Sequence, residues 1–238
     1  MGGGKMMEIR VNCNKCGDVG GHKYINSKTN LYYCFRCGDK GKSKKSIIAF
    51  KTQPKLREIE MFSLKLKTKI SENVLKYMES RIPNKELLLT KVRWSPDLPD
   101  RAILPIWAGG KVKFWTARSI SNAEPKFLSS GKKSNFVYNI NDTVGWATLC
   151  EGPLDALSCP NGIAIFGKHP SEIQLKLIIS KFHTVYIALD GDAVKDRKKL
   201  VKILLPYVKV KEVDFGKDED PCSVGFEEMV NRIRKINL

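Results

Sequence analysis

Between Trp146 and Asp220 the chain repeats one pattern: a short apolar run, a break rich in glycine or acid, then a charged segment. The runs are Trp146-Ala-Thr-Leu-Cys150, Ile163-Ala-Ile-Phe166, Thr184-Val-Tyr-Ile-Ala-Leu189 and Val208-Lys-Val-Lys-Glu-Val213. Each has strand length, and the intervals between them suit helices. Strand followed by helix, repeated, predicts a parallel sheet covered on both faces. That pattern fixes the core as α/β before any other feature is considered.

What ends each run matters as much. Glu151-Gly-Pro-Leu-Asp155, Asp190-Gly-Asp192 and Asp218-Glu-Asp220 all fall at the carboxyl ends of predicted strands, as does Lys168. Ligands of such sheets bind beyond those ends. An Asp-Gly-Asp after a strand can be a simple turn. Three acidic clusters at one sheet edge instead repel one another unless a cation joins them. Carboxylate oxygens are the natural ligands of Mg²⁺, which neutralises phosphate charge. The clusters also stand in a chain of formal net charge +17, and such an excess draws polyanions by counterion release. Acid within base points to phosphoryl transfer on nucleic acid.

The 238 residues can hold one large domain or two modest ones. No apolar run has the length of a membrane span, and the start, Met1-Gly-Gly-Gly-Lys-Met-Met, reads as a flexible leader without a signal core. The seven cysteines suit metal ligation or free thiols in an intracellular setting rather than disulfides, so a cytoplasmic location is expected.

Four of those cysteines form two C-x-x-C pairs, Cys13-Asn-Lys-Cys16 and Cys34-Phe-Arg-Cys37. Zn²⁺ takes four soft ligands in a tetrahedron, and a two-residue gap turns both thiolates of a pair toward one ion. Gly17 and Gly38 follow the pairs, where the chain must turn sharply. The expectation is a β-rich zinc ribbon over residues 8–42. Four cysteines complete the shell, which leaves His22 a bystander. Such a ribbon can be a fold staple alone. Lys15, Lys23, Lys28 and Arg36, interleaved with Tyr32, Tyr33 and Phe35, favour contact with a nucleic-acid strand. Gly41-Lys42-Ser43 is not a phosphate-binding P-loop, because Arg36 stands where that motif needs glycine.

A Lys- and Ser-rich linker is expected over residues 43–60, with Ile47-Ile48-Ala49-Phe50 its apolar cluster. Residues 61–145 read as a mixed α+β segment. Ser71 opens a helix bearing Val74, Leu75 and Met78, a second covers Lys85 to Lys91, and both read as structural. Arg101-Ala-Ile-Leu-Pro-Ile-Trp107 turns through Gly109-Gly110 into a hairpin. Arg118, Lys126 and the Lys132-Lys133 pair follow as a candidate phosphate-binding ridge.

The series Glu151-Gly-x-x-Asp155, Asp190-Gly-Asp192 and Gly-Lys-Asp218-x-Asp220 resembles the toprim domain shared by bacterial-type primases and topoisomerases. Arg101-Ala-Ile-Leu-Pro-Ile and Pro125-Lys-Phe-Leu-Ser-Ser are similar to segments of the polymerase core of phage and bacterial primases, and the ribbon is that family's third element. The resemblance runs from about Cys13 to about Gly225. It implies a toprim core over residues 146–238, with Glu151 as catalytic acid or base and Asp190 and Asp192 as the principal catalytic metal ligands. Asp155, Asp218 and Asp220 would contribute further to the Mg²⁺ or Mn²⁺ site, which takes one to three ions. Arg101, Arg118, Lys126 and Lys168 would hold nucleotide or template. The last motif departs from the family, which places proline between the aspartates. Here Glu219 intervenes and Pro221 follows, so an alternative register puts Cys222 at the final acidic position.

The implied activity is template-directed synthesis of RNA primers from ribonucleoside triphosphates on single-stranded DNA. A replicative helicase would be a separate partner, and the compact size suggests a phage or mobile-element protein acting in the host cytoplasm. A toprim nuclease and a non-catalytic zinc-ribbon replication factor are the rivals. The nuclease would need neither the ribbon nor the 101–130 segment, and the intact acidic clusters weigh against an idle core.

Overall fold

The computed structural model describes residues 8–13, 15–26, 29–43, 64–121 and 123–237. The leader, Lys28 and all of the linker except Ser43 lie outside them. Among the described residues no helix is long and apolar enough to cross a membrane.

The C-terminal half carries the expected sheet. Strands β8 (Trp146–Cys150), β9 (Gly162–Ala164), β10 (Thr184–Ile187) and β11 (Lys209–Glu212) are all parallel, in the order β11-β10-β8-β9. Helices α3 (Pro153–Leu157), α4 (Glu172–Lys181) and α5 (Val194–Leu204) make the crossovers, and α6 (Pro221–Val224) and α7 (Phe226–Lys235) close the chain. Side chains alternate along each strand. Ala147, Leu149, Val185 and Ile187 pack with Leu175 and Ile178 of α4 and Leu200 and Leu204 of α5. On the other face, Cys150, Tyr186 and Ala188 share a core with Leu157 of α3 and Met229 and Ile233 of α7. The expected strand Ile163–Phe166 stops at Ala164, because Phe166 adopts φ 61° and Gly167 φ 152°, which bends the chain out of the sheet.

The middle segment packs on that second face. Helices α1 (Glu72–Glu79) and α2 (Lys85–Lys91) precede an antiparallel sheet of β5 (Arg101–Ala108), β6 (Lys111–Ser119) and β7 (Phe127–Ser129). Val74 and Met78 of α1, Leu88 of α2, Leu104 of β5 and Phe114 of β6 all enter the core that holds Met229 and Ile233. The segment and the parallel sheet are therefore one packed body. Ser71 stands at the α1 cap position without a capping hydrogen bond, whereas the Asn84 side chain accepts from Leu87 N at 2.9 Å to cap α2. Gly109 and Gly110 turn the β5–β6 hairpin at φ 58° and 71°, as a tight hairpin with two left-handed residues requires.

The N-terminal unit is an antiparallel sheet of β1 (Glu8–Cys13), β2 (Asp18–Asn26), β3 (Leu31–Cys34) and β4 (Lys40–Lys42). Its apolar cluster is small: Val11 and Ile25, with Tyr32 and the core's Tyr207 against them. Asn12 N donates to Pro206 O at 2.9 Å, just ahead of β11.

Leu149 is fully buried in the central strand β8. Leu149→Ala is expected to destabilise the core by about 2–5 kcal/mol, measured as a lower urea midpoint at unchanged m-value.

Candidate active site

The carboxyl ends of β8 and β10 and the loop after β11 converge on a cleft of about 350 Å³. From the parallel-sheet unit come Glu151, Asp155, Asp190, Asp220 and Cys222; from the middle segment come Arg81, Thr116, Arg118, Lys126, Phe127 and Lys133. Acid thus meets base across one small volume.

Local structure holds each carboxylate. Glu151 leaves β8, and its carbonyl accepts from Gly167 N at 3.1 Å. This ties it to the strained Phe166–Gly167 bend, which also lines the cleft. The Phe166 ring meets Phe114 edge-on at 5.4 Å. Asp155 sits in the first turn of α3 and accepts from Gly152 N at 3.0 Å. Asp190 leaves β10, and the next residue must be glycine because a Cβ on Gly191 would lie 1.8 Å from Gly216 O. Gly191 N donates to Glu219 O at 2.9 Å, pinning the Asp190 loop to the loop that carries Asp220. Asp220 caps α6, accepting from Ser223 N at 2.6 Å.

Burial, then the nearby Asp190 charge, pushes the Glu151 carboxyl up to about 7. Burial, then Asp190 and Asp220, pushes Asp155 up to about 7 as well. Asp190 is raised by burial and by Asp220. Glu151 Oε1 and Asp190 Oδ1 are buried without a hydrogen-bond partner among the described residues. Buried, unpartnered and mutually repelling carboxylate oxygens fit a hard divalent cation.

The remaining expected site residues are placed as follows. Asp192 is exposed and accepts from Lys168 Nζ at 2.7 Å. That hydrogen bond, opposed by burial and helped by the nearby Glu151 charge, raises the Lys168 pKa. Asp218 is exposed on the turn ahead of α6, while Asp220 and Cys222 line the cleft. Neither Asp192 nor Asp218 lines it among the described residues. Glu219 is engaged elsewhere: Arg232 bonds it at 2.9 Å and holds its carboxyl below the usual range. Arg101, expected with the nucleotide or template, does not line the cleft among the described residues. It is 8% exposed, inside the β5–β6 pair, with Nη1 bonded to Ala117 O at 3.3 Å.

Arg81 and Thr116 are cleft residues that the sequence did not reveal. Arg81 follows a helix that read as purely structural, and its place depends on how α1 packs against β6. Cys222 was visible only through the alternative register of the last acidic motif, and its thiol donates to Arg81 O at 3.6 Å.

The second centre is the cysteine cluster. All four sulfurs of Cys13, Cys16, Cys34 and Cys37 lie within 4.8 Å of one another, with Cys13–Cys37 at 3.7 Å and Cys16–Cys34 at 4.0 Å. Thiolates about 2.3 Å from a tetrahedral Zn²⁺ stand about 3.8 Å apart, so the set fits zinc. No three carboxylates of the cleft gather their oxygens as closely among the described residues. Gly17 and Gly38 take φ 67° and 69° at matching positions after each pair. Beside the cluster, Phe35 is 69% exposed and meets Tyr24 and Tyr33 edge-on at 5.3 and 5.0 Å. Arg10 lies 5.3 Å from the Tyr24 ring centre. Lys15 and Lys23 both pair with Asp39, at 3.6 and 3.1 Å.

No protein-family model matches the chain, and no curated protein matches it in sequence. Solved structures do. A DNA primase domain from Pseudomonas aeruginosa aligns with TM-score 0.51 at 22% identity, covering 60% of this chain and 53% of that one. The DnaG primase catalytic domain bound to ssDNA gives 0.51 at 20%, covering 69% and 62%. The zinc-binding and RNA polymerase domains of the Aquifex aeolicus primase give 0.54 at 18%, covering 97% and 80%. The chain spans about half to two thirds of the first two and four fifths of the third. It has the fold of these DNA primase domains, and in this chain a four-cysteine ribbon stands ahead of a toprim-type core.

Purified protein is expected to carry about one zinc per chain. Cys34→Ser should release it and unfold the ribbon, read by metal analysis and limited proteolysis. Because Glu151 and Asp155 titrate near 7 when folded but in the ordinary carboxylate range when unfolded, the folded chain binds more protons between those limits. Their contribution to stability is present at low pH and lost as pH rises through about 7. Melting temperature without added divalent cation should therefore fall from about pH 5.5 to about pH 8, and the Glu151→Gln/Asp155→Asn double variant should flatten that fall.

Proposed function

We propose that the chain is a DNA primase, joining ribonucleotides on a single-stranded DNA template. The observation that carries this reading is the pair of unpartnered buried carboxylate oxygens, on Glu151 and Asp190, opposite the cationic Arg81, Arg118, Lys126 and Lys133 in one cleft. A carboxylate set that suits a divalent cation, facing a basic wall, is what transfer of a nucleotidyl group to a hydroxyl needs. The shared fold with primase domains, including one bound to ssDNA, supports the same reading.

Asp190 and Asp220 would hold a magnesium or manganese ion, with Asp155 behind them, and when bound it supplies positive charge beside the triphosphate. The chain's own groups do the rest. Arg81, Arg118, Lys126 and Lys133 bind and orient the triphosphate oxygens. The ribose 3′-hydroxyl attacks the α-phosphorus. Its new O–P bond forms as the bond to the β-phosphate bridging oxygen breaks, and pyrophosphate leaves. Glu151, held near neutrality, takes the hydroxyl proton at Oε1. The exposed Phe35, with Tyr33 and Tyr24, offers a stacking surface for template bases.

Ribonucleotide incorporation on single-stranded DNA with Mg²⁺ tests this. Short RNA from the wild type is expected, with Glu151→Gln slower by roughly a hundredfold or more and Asp190→Asn inactive. Cys34→Ser should impair initiation and template choice more than nucleotide binding. Undiminished synthesis by Asp190→Asn would overturn the site. Cleavage without synthesis would mark a nuclease, and DNA binding alone a non-catalytic factor.

A further inference from the structure

Tyr77 stands where two arginines of the cleft meet. It lies on the last turn of α1, half-buried. Arg118 donates from Nε to the Tyr77 hydroxyl at 2.6 Å, and its guanidinium carbon is 5.8 Å from the ring centre. Arg81, four residues further along, interacts electrostatically with the same side chain. Its own carbonyl is held by the Cys222 thiol. The Phe127 ring lies 5.3 Å from Arg118 and 5.7 Å from Lys133 Nζ. One phenol on α1 therefore holds a cation of β6, an element distant in sequence.

Arginine serves phosphate best when its planar fork is fixed beforehand, because less freedom is then lost on binding. Using Nε for the phenol leaves the terminal nitrogens of Arg118 for a ligand in the cleft it lines. We propose that Tyr77 is a positioning residue, whose hydroxyl holds Arg118 for the phosphate chain of an incoming nucleoside triphosphate. This rests on the nucleotidyl-transfer reading of the cleft. A triphosphate, rather than a template phosphate, is the ligand for two reasons. The cleft of about 350 Å³ is nucleotide-sized. Its carboxylates also repel a bare polyanion, whereas a triphosphate arrives with its own cation.

Tyr77→Phe keeps the ring and removes only the oxygen. With ATP and Mg²⁺, KM in primer synthesis and Kd by calorimetry should rise about fivefold to tenfold, while kcat stays within about twofold. Melting temperature and affinity for an oligodeoxythymidylate should not move. Arg118→Lys should weaken ATP binding less in the Tyr77→Phe background than in the wild type, because the two share one interaction. Unchanged KM and Kd would overturn the positioning role. So would a fall in kcat and melting temperature alone, which marks a packing residue, or a loss confined to the oligonucleotide. If the wild type binds no ATP, the reading of the cleft itself fails, an outcome separate from a normal wild type with an unaffected variant.

Discussion

Carboxylates gathered in a half-buried cleft repel one another, and the rest of the molecule is arranged around that repulsion. Burial raises Glu151, Asp155 and Asp190; the Asp190 charge adds to the first two, and the Asp220 charge to Asp155 and Asp190. Protein interiors admit such groups only when a counter-charge is present or when the site serves chemistry. Structural ion pairs are handled differently in the same chain. Arg197 is buried between Glu212 and Asp214, and Arg232 joins Glu219 to Glu228. Among the described residues Glu151, Asp155 and Asp190 form no such ion pair, and Arg81, Arg118, Lys126 and Lys133 in the same cleft come from a different segment.

The repulsion is contained by interlocked loops. Gly191 touches the Gly216 carbonyl so closely that no side chain could be added, and the Glu219 carbonyl accepts from Gly191 N. Glu219 in turn is clamped by Arg232 from α7. The C-terminal helix thus acts on the site at one remove, through an ion pair that fixes the loop bearing Asp220. On the other side, Phe166 holds a left-handed φ of 61°, a conformation costing about 1–3 kcal/mol for a bulky residue. Contact with Phe114 on β6 anchors that ring, so the packing between the two subdomains also sustains the strained bend beside Glu151.

How much of this was legible in the sequence depended on distance along the chain. The strand Trp146–Cys150 was readable to the residue, since burial on both faces leaves a near-continuous apolar run. Glu151 and Asp190 followed because each directly ends a strand. Asp192 and Asp218 looked equivalent to their neighbours in sequence, yet a turn's geometry sends one to Lys168 and the other to solvent. The 3₁₀ turn Gly191–Ala193 and the cap at Asp220 decide which acid faces inward, and neither is visible in composition. Arg101 entered through resemblance alone, and its enclosure between β5 and β6 is a matter of strand pairing that no local signal marks. Arg81 and Tyr77 could not be found at all. Their meaning arises only when α1 packs beside β6, and nothing local in the helix marks it.

The excess positive charge and the acidic cleft are parts of one electrostatic design. A formal net charge of +17 draws any polyanion toward the surface by long-range attraction and counterion release. Attraction alone would bring nucleic acid to the chain without selecting a place on it. The carboxylates supply that selection by making the cleft inhospitable to a phosphate that lacks a cation. On the nucleotidyl-transfer reading, a cation-bound triphosphate would satisfy both walls at once, phosphate oxygens on the arginines and a divalent charge on the carboxylates. Binding there would relieve the repulsion that burial and neighbouring charge maintain among these carboxylates.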